Sequence, residues 1–154
     1  MATAQQTPAA DPEPPALTFL YTAFVDCEGM YDVGDGPKGK RRVIPIVGGN
    51  FTGPRVKGTI SNLGADWGLT DARGTFSSDT RYHLETDDGA HIYIQTSGPA
   101  QPDGGTHLRL LFETGAEKYA WMNDIVSVGV LKLAGGSLGG GFTLRIDAWH
   151  VSLG

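Results

Sequence analysis

From Leu17 onward the chain alternates short apolar runs with turns and does not space its apolar residues at helical intervals. Leu17–Val25 (LTFLYTAFV) is apolar and rich in aromatic and β-branched residues, which favours a strand. Val43–Val47 is a second run, and Pro45 within it marks a sheet edge or a bulge. Arg55–Ile60 and Asp66–Thr70 are shorter runs broken by glycine. The clearest feature is the pair Arg81–Thr86 and His91–Thr96, two alternating runs around Asp87-Asp88-Gly89-Ala90. The Asp-Gly at its centre predicts a type I′ hairpin. His107–Thr114, Lys118–Met122, Ile125–Leu133 and Phe142–Val151 follow. Gly135-Gly136 and Gly139-Gly140-Gly141 mark the last turn. Glu117–Leu133 also fits a helical period, but its run Ile125-Val126-Ser127-Val128-Gly129-Val130 is β-branched and favours strands. The expected fold is all-β: a single closed antiparallel β-barrel of about nine or ten strands, because closure removes the edges such a sheet would expose.

Composition narrows this further. The 154 residues fit one domain, and 23 glycines are about twice the usual share, as many tight turns require. Pro8, Pro12, Pro14 and Pro15 fall in a stretch with little to bury. Residues 1–16 are therefore expected to be a disordered tail and residues 17–154 the barrel domain. The net charge is −5 and the one dense basic run is Lys38–Arg42, which argues against a nucleic-acid partner. No stretch reaches the ~18 apolar residues of a membrane span. Met1–Pro15 has no Lys or Arg and no apolar core of a secretory signal, so a cytoplasmic location is expected. Cys27 is the single cysteine, so neither an internal disulfide nor a Cys-cluster zinc site is available. Its neighbours Asp26 and Glu28 do not favour a thiolate.

Several residues could carry chemistry. In Arg81–Asp87 one face presents Arg81, His83, Glu85 and Asp87, the other Tyr82, Leu84 and Thr86. The polar face either meets solvent or lines a polar lumen, and the pleat alone does not decide. Tyr119, Trp121 and Asn123 share one face of the expected strand at Lys118–Met122. Aromatics alternating with an amide suit a ligand pocket, and equally an ordinary core or subunit contact. Asp66 stands beside Trp67, and desolvation there would raise its pKa into a range useful for acid–base work. A turn cap is the plainer reading of that aspartate. Trp149-His150 lies on the last strand. His83 and His91 fall on partner strands without an evident third ligand, so no metal is expected. The chain has no G-x-S-x-G elbow, no Walker loop and no G-x-G-x-x-G opening a helix.

Four blocks carry a family resemblance. They are Ile44-Pro45-Ile46-Val47-Gly48-Gly49-Asn50-Phe51 with Gly53-Pro54, then Gly64-Ala65-Asp66-Trp67, then Arg81-Tyr82 through Leu84-Glu85-Thr86-Asp87-Asp88-Gly89-Ala90, and Phe112-Glu113-Thr114 with Lys118-Tyr119-Ala120-Trp121 and Asn123. In this order they resemble the domain-of-unknown-function family 3237, also called uncharacterised protein family 0311. The resemblance implies a compact β-barrel of a kind found in bacteria and fungi. It implies shared polar positions at Asp66, Arg81, Glu85, Asp87, Asp88, Glu113, Lys118, Tyr119 and Asn123. Between Gly98 and His107 this chain has a short Gly/Pro-rich loop where relatives often carry a longer insert, which implies a differently covered barrel mouth.

The reading favoured at this point is a small cofactor-independent enzyme that binds an apolar organic molecule in the barrel. It would direct an isomerisation, a cyclisation (a pericyclic ring closure included) or an elimination. Asp66 or Glu85 would be the acid or base, and Arg81 or Lys118 would stabilise an enolate or oxyanion. Tyr82, Tyr119 and Asn123 would anchor the ligand, with Trp67, Trp121 and Trp149 as apolar walls. The alternatives are a non-catalytic carrier or sensor, with Arg81 paired to Glu85 and Lys118 to Glu113, and a structural homodimeric barrel.

Overall fold

The computed structural model describes residues 3–4, 10–136 and 140–153. Nine strands form one sheet: β1 (Ala16–Cys27), β2 (Tyr31–Gly36), β3 (Gly39–Thr52), β4 (Lys57–Thr70), β5 (Phe76–Thr86), β6 (His91–Pro99), β7 (Thr106–Glu113), β8 (Ser127–Gly136) and β9 (Phe142–Ser152). The order is β1-β9-β8-β7-β6-β5-β4-β3-β2, and β1 also pairs with β3. Eight strands thus close into an antiparallel barrel, and β2 hangs from the first half of β3 beyond the closure. Of the expected tail, residues 1–2 and 5–9 lie outside the described residues; residues 11–15 belong to no strand or helix, and β1 itself begins at Ala16.

Three local expectations change. Lys118–Met122 is not a strand but part of a 3-10 helix, Glu117–Asp124. Its buried residues are Tyr119 and Met122, three apart as one turn of that helix requires. Arg55–Ile60 and Asp66–Thr70 fall largely within a single strand, β4, whose pairing with β5 shifts register between Ile60 and Gly64. The Asp87–Ala90 turn is not type I′, because no described non-glycine residue has a positive φ and only Gly89, at +88°, does. Pro45 does sit at an irregularity, since the β3–β4 ladder breaks between Pro45 and Asn50. Gly49 within that break has φ +129°, and a Cβ there would lie 2.0 Å from the Phe24 carbonyl oxygen, so no other residue fits.

Alternation places one face of the barrel strands inside, while β2 buries none of its residues. Tyr21, Ala23, Val25 and Cys27 of β1, Ile44, Ile46 and Phe51 of β3, and Ile92 and Ile94 of β6 are buried. Leu108, Leu110 and Phe112 of β7 and Phe142, Ile146 and Ala148 of β9 join them in one cluster. Fully burying a side chain of this size is worth ~1.5–3 kcal/mol, and this filled centre is what holds the barrel closed.

The two ends differ. At the end carrying the β3–β4 and β5–β6 turns, the 3-10 helix packs as a plug. Tyr119 donates its hydroxyl to Asp88 at 2.9 Å, Lys118 Nζ reaches the same carboxylate at 2.6 Å, and the Arg55 guanidinium lies 3.7 Å over the Trp121 ring. The opposite rim is edged by half-buried apolar side chains, among them Met30, Phe76, Leu131 and Leu144, which pack against the core.

Candidate functional site

The polar face of β5 points outward. Tyr82, Leu84 and Thr86 are buried, while Arg81 and Glu85 are exposed. The question the pleat leaves open is answered: Arg81 and Glu85 turn to solvent because Tyr82 and Leu84 take the inner positions, and the roles expected of them inside the barrel are corrected. Arg81 pairs loosely with Asp79 at 3.7 Å and not with Glu85. Lys118 pairs with Asp88 and not with Glu113. Asp88 has its pKa pulled below the usual carboxylate range by Lys118, then by the Thr86 and Tyr119 hydroxyls.

The remaining expected pocket residues separate as well. Trp67 faces out of β4 and is 39% exposed. Trp149 faces out of β9, edge-on to Phe19 at 6.4 Å. Tyr119 is buried in the plug with its hydroxyl held by Asp88. Asn123 is spent on the loop before it, accepting the Thr114 N–H at 2.8 Å and donating to the Thr114 carbonyl at 3.0 Å. Trp121 lies under Arg55. Of these five, only Trp67 adjoins Asp66 in the chain, and it faces the other way. A groove of about 400 Å³ does bring Trp67 and Arg81 together with Leu63, His83 and Tyr93, but on the outer wall. His83 Nε2 and His91 Nδ1 are 2.7 Å apart beside it. Among the described residues no third His, Cys, Asp or Glu joins them as a metal-binding group.

Asp66 and Tyr82 are the two expected residues that do face inward. Asp66 is 8% exposed and stands opposite Ile44 on β3 and Thr80 on β5. It is a strand residue and caps no turn. Burial raises its pKa above the usual carboxylate value. The Asp79 backbone N–H, donating to Oδ1 at 2.8 Å, and the Ser78 hydroxyl offset part of that rise. The Asp79 charge adds to it.

Behind Asp66 runs a row of groups of which only Tyr82 was expected from the sequence. Cys27 on β1 feels the Asp66 charge; burial first, then Asp66 and Asp26, push its thiol up to about 12. Tyr82 feels Cys27, and Tyr21 feels Tyr82; burial is the larger cause of both raised values. The row thus descends from near the open rim toward the plugged end as Asp66, Cys27, Tyr82, Tyr21, and its thiol and phenols stay protonated at neutral pH. Among the described residues neither the Tyr21 nor the Tyr82 hydroxyl has a hydrogen-bond partner. Such orphans cost ~1–3 kcal/mol each. The parity of β1 was the available signal: Tyr21, Ala23, Val25 and Cys27 share one face against Thr22, Phe24 and Asp26. What this row can do chemically is hold and exchange a proton at Asp66 in a low-dielectric, cation-poor setting. None of the ion pairs among the described residues involves Asp66.

Among the described residues no helix is long and apolar enough to cross a membrane. Comparison with known proteins adds the following. A family described as "Protein of unknown function (DUF3237)" matches residues 15–110. A protein of Penicillium herquei named hydroalkoxylation enzyme phnH is 31% identical over 118 residues, covering 77% of this chain and 75% of its own length. A β-barrel-like protein of Acinetobacter baumannii superposes with a TM-score of 0.80 at 35% identity, over 92% of this chain and 99% of that one. The crystal structure of an enzyme from Penicillium herquei superposes with a TM-score of 0.70 at 27% identity, over 94% and 99%.

Proposed function

The chain belongs to the DUF3237 family, and on that premise we propose that it is a small enzyme performing redox-neutral proton-transfer chemistry on an uncharged organic molecule inside the barrel. Asp66 is the group that gives and takes the proton. The observation carrying this reading is the carboxyl itself: buried, raised in pKa and, among the described residues, in no ion pair, in an interior whose other buried side chains carry no charge. The name of the fungal relative describes addition of an alcohol O–H across a carbon–carbon double bond. Within one molecule that addition closes an oxygen ring, which is one of the cyclisations the sequence suggested.

The step balances without an electron acceptor. Protonated Asp66 delivers its proton to one alkene carbon while the substrate hydroxyl oxygen bonds to the other. The proton left on that oxygen then returns to the carboxylate, restoring the acid. A positioned general acid of this kind contributes ~10²–10⁴-fold. Tyr82 and Tyr21, protonated and unpartnered, are donors for an oxygen of the ligand. Arg81, Glu85 and Lys118 take no part in it.

The test uses a panel of apolar phenols and alcohols bearing an internal alkene, incubated with the protein in deuterium oxide. Wild type should yield the cyclic ether with deuterium on the former alkene carbon, and Asp66→Asn should lose at least ~100-fold in rate. Equal turnover by the two proteins would refute the role of Asp66. The unpartnered tyrosine hydroxyls also suit a carrier that binds such molecules unchanged; saturable binding with no product from any member of the panel would favour that reading.

A further inference from the structure

Gly68 and Phe76 form a pair whose geometry the fold alone does not require. Gly68 lies on the inner face of β4, two residues beyond Asp66, and its φ is outside the left-handed region. Its glycine therefore serves space and not backbone conformation. A Cβ at Gly68 would fall 2.2 Å from Phe76 Cζ and 2.4 Å from Cε2, and 3.4 Å from Asp66 Oδ1. At the inward glycines Gly58 and Gly98 the obstruction is instead a backbone carbonyl of the neighbouring strand, at 2.0 and 1.7 Å. At Gly68 the missing side chain leaves a hollow that a ring occupies, and that ring comes to lie beside the Asp66 carboxyl.

Phe76 is the first residue of β5, at the open rim, directly after a turn tied by Asp71 to the N–H groups of Arg73 and Thr75. It is half-buried, with solvent on one side and the core on the other. Asp66 and Tyr82 lie further along the barrel, and Cys27 ends β1 opposite Phe142.

We propose that Phe76 is the gate of the Asp66 site: its ring, seated on Gly68, shuts the carboxyl off from water, and its swing outward opens the route by which an uncharged molecule reaches the lumen. This rests on the reading of Asp66 as the reacting acid. It adds what that reading lacks, which is room beside Asp66 in a barrel whose centre is filled: the hollow over Gly68, vacated when the ring swings out. The closed position also accounts for the burial of Asp66, whose Oδ1 borders the same hollow as the ring. The Asp79 charge disfavours the ionised form of Asp66, and Cys27 in turn feels the Asp66 charge.

The chain carries its own reporter. Cys27 is the single cysteine, buried next to Asp66, and its modification needs no substrate. The experiment is the rate of labelling of the native protein by the small uncharged reagent methyl methanethiosulfonate. Phe76→Ala should raise that rate at least tenfold. Gly68→Ala, which evicts the ring without shortening it, should do the same, and Phe76→Leu should retain most of the wild-type protection. Leu144→Ala truncates another half-buried rim residue and controls for general loosening; it should label no faster than its loss of stability explains. Wild-type labelling rates in Phe76→Ala and Gly68→Ala would overturn the gate, and so would an equal rise in Leu144→Ala. If Phe76→Ala does not fold, Gly68→Ala and Phe76→Leu decide the matter. Labelling does not depend on turnover, so the two failures are distinguishable: failure here leaves the deuterium experiment standing, and failure there leaves Phe76 a cover over the interior with no reaction to serve.

Discussion

Replacing Asp66 by asparagine asks directly whether the barrel holds this carboxyl in its protonated form. The side chain is 8% exposed, and burial raises its pKa against the opposing pull of the Asp79 N–H and the Ser78 hydroxyl. An acid with a higher pKa folded than unfolded takes up a proton on folding. Its contribution to stability is whole below the unfolded pKa, near pH ~4, and is lost as pH rises through the folded pKa. Asparagine preserves the shape and an acceptor oxygen for Asp79, but it has no proton to lose. The stability of Asp66→Asn relative to wild type should therefore be flat below about pH 4. It should then climb by about 1.4 kcal/mol per pH unit and level off at the folded pKa of Asp66. Urea unfolding of both proteins in closely spaced steps of pH measures this, and the pH of levelling reads the pKa without a substrate. Groups such as Asp88, whose lowered pKa gives wild type the opposite slope, are present in both proteins and cancel in the difference. A difference that stays flat, or that falls with pH, would mean that burial does not govern the carboxyl and that Asp66 is no proton donor near neutrality.

Two further outcomes follow from the interior. Tyr21→Phe and Tyr82→Phe each remove a buried hydroxyl without a partner among the described residues, so the unfolding free energy from urea titration should stay level or rise by up to about 1 kcal/mol; a loss above that size would reveal a bond to the hydroxyl. Gly98→Ala places a methyl 1.7 Å from the His107 carbonyl oxygen, which belongs to the barrel wall and cannot rotate away, and should cost about 3 kcal/mol. Gly115→Ala meets open space and should change stability by less than about 0.5 kcal/mol; equal costs at the two positions would refute the packing account.

The barrel was readable because its signals are local. β-branched runs, glycine turns and the alternation of β5 and β6 each report a strand without reference to the rest of the chain. Lys118–Met122 misled because its aromatic residues satisfy period two on paper, whereas the protein uses Tyr119 and Met122, three apart, to plug one end. The hairpin between β5 and β6 was placed correctly and its turn type was not, because Asp88 is committed to Thr86, Lys118 and Tyr119 with φ negative. The site was half legible. Asp66 and Tyr82 could be picked out as chemistry-bearing residues, but inward or outward direction depends on register with β3 and β5, a long-range property. Arg81 and Glu85 looked concentrated for a purpose, and alternation alone could not say that Tyr82 and Leu84 would claim the inner positions. Cys27 and Tyr21 escaped because they matter only through neighbours on strands far away in sequence.

The ring of strands is sealed by β1 lying between β3 and β9. Across that seam Thr22 donates to Asp147 at 2.6 Å, partners 125 positions apart. Until β9 has left the ribosome, β1 and β8 each present a bare row of amides and carbonyls, and Phe19 and Val128 have nothing between them. Such a half-made wall is slow to complete, since the loop it must close is long, and in that interval it is open to pairing with any other nascent strand. Loss of β9 should therefore convert a well-behaved protein into an aggregating one, with every residue of the proton row still present.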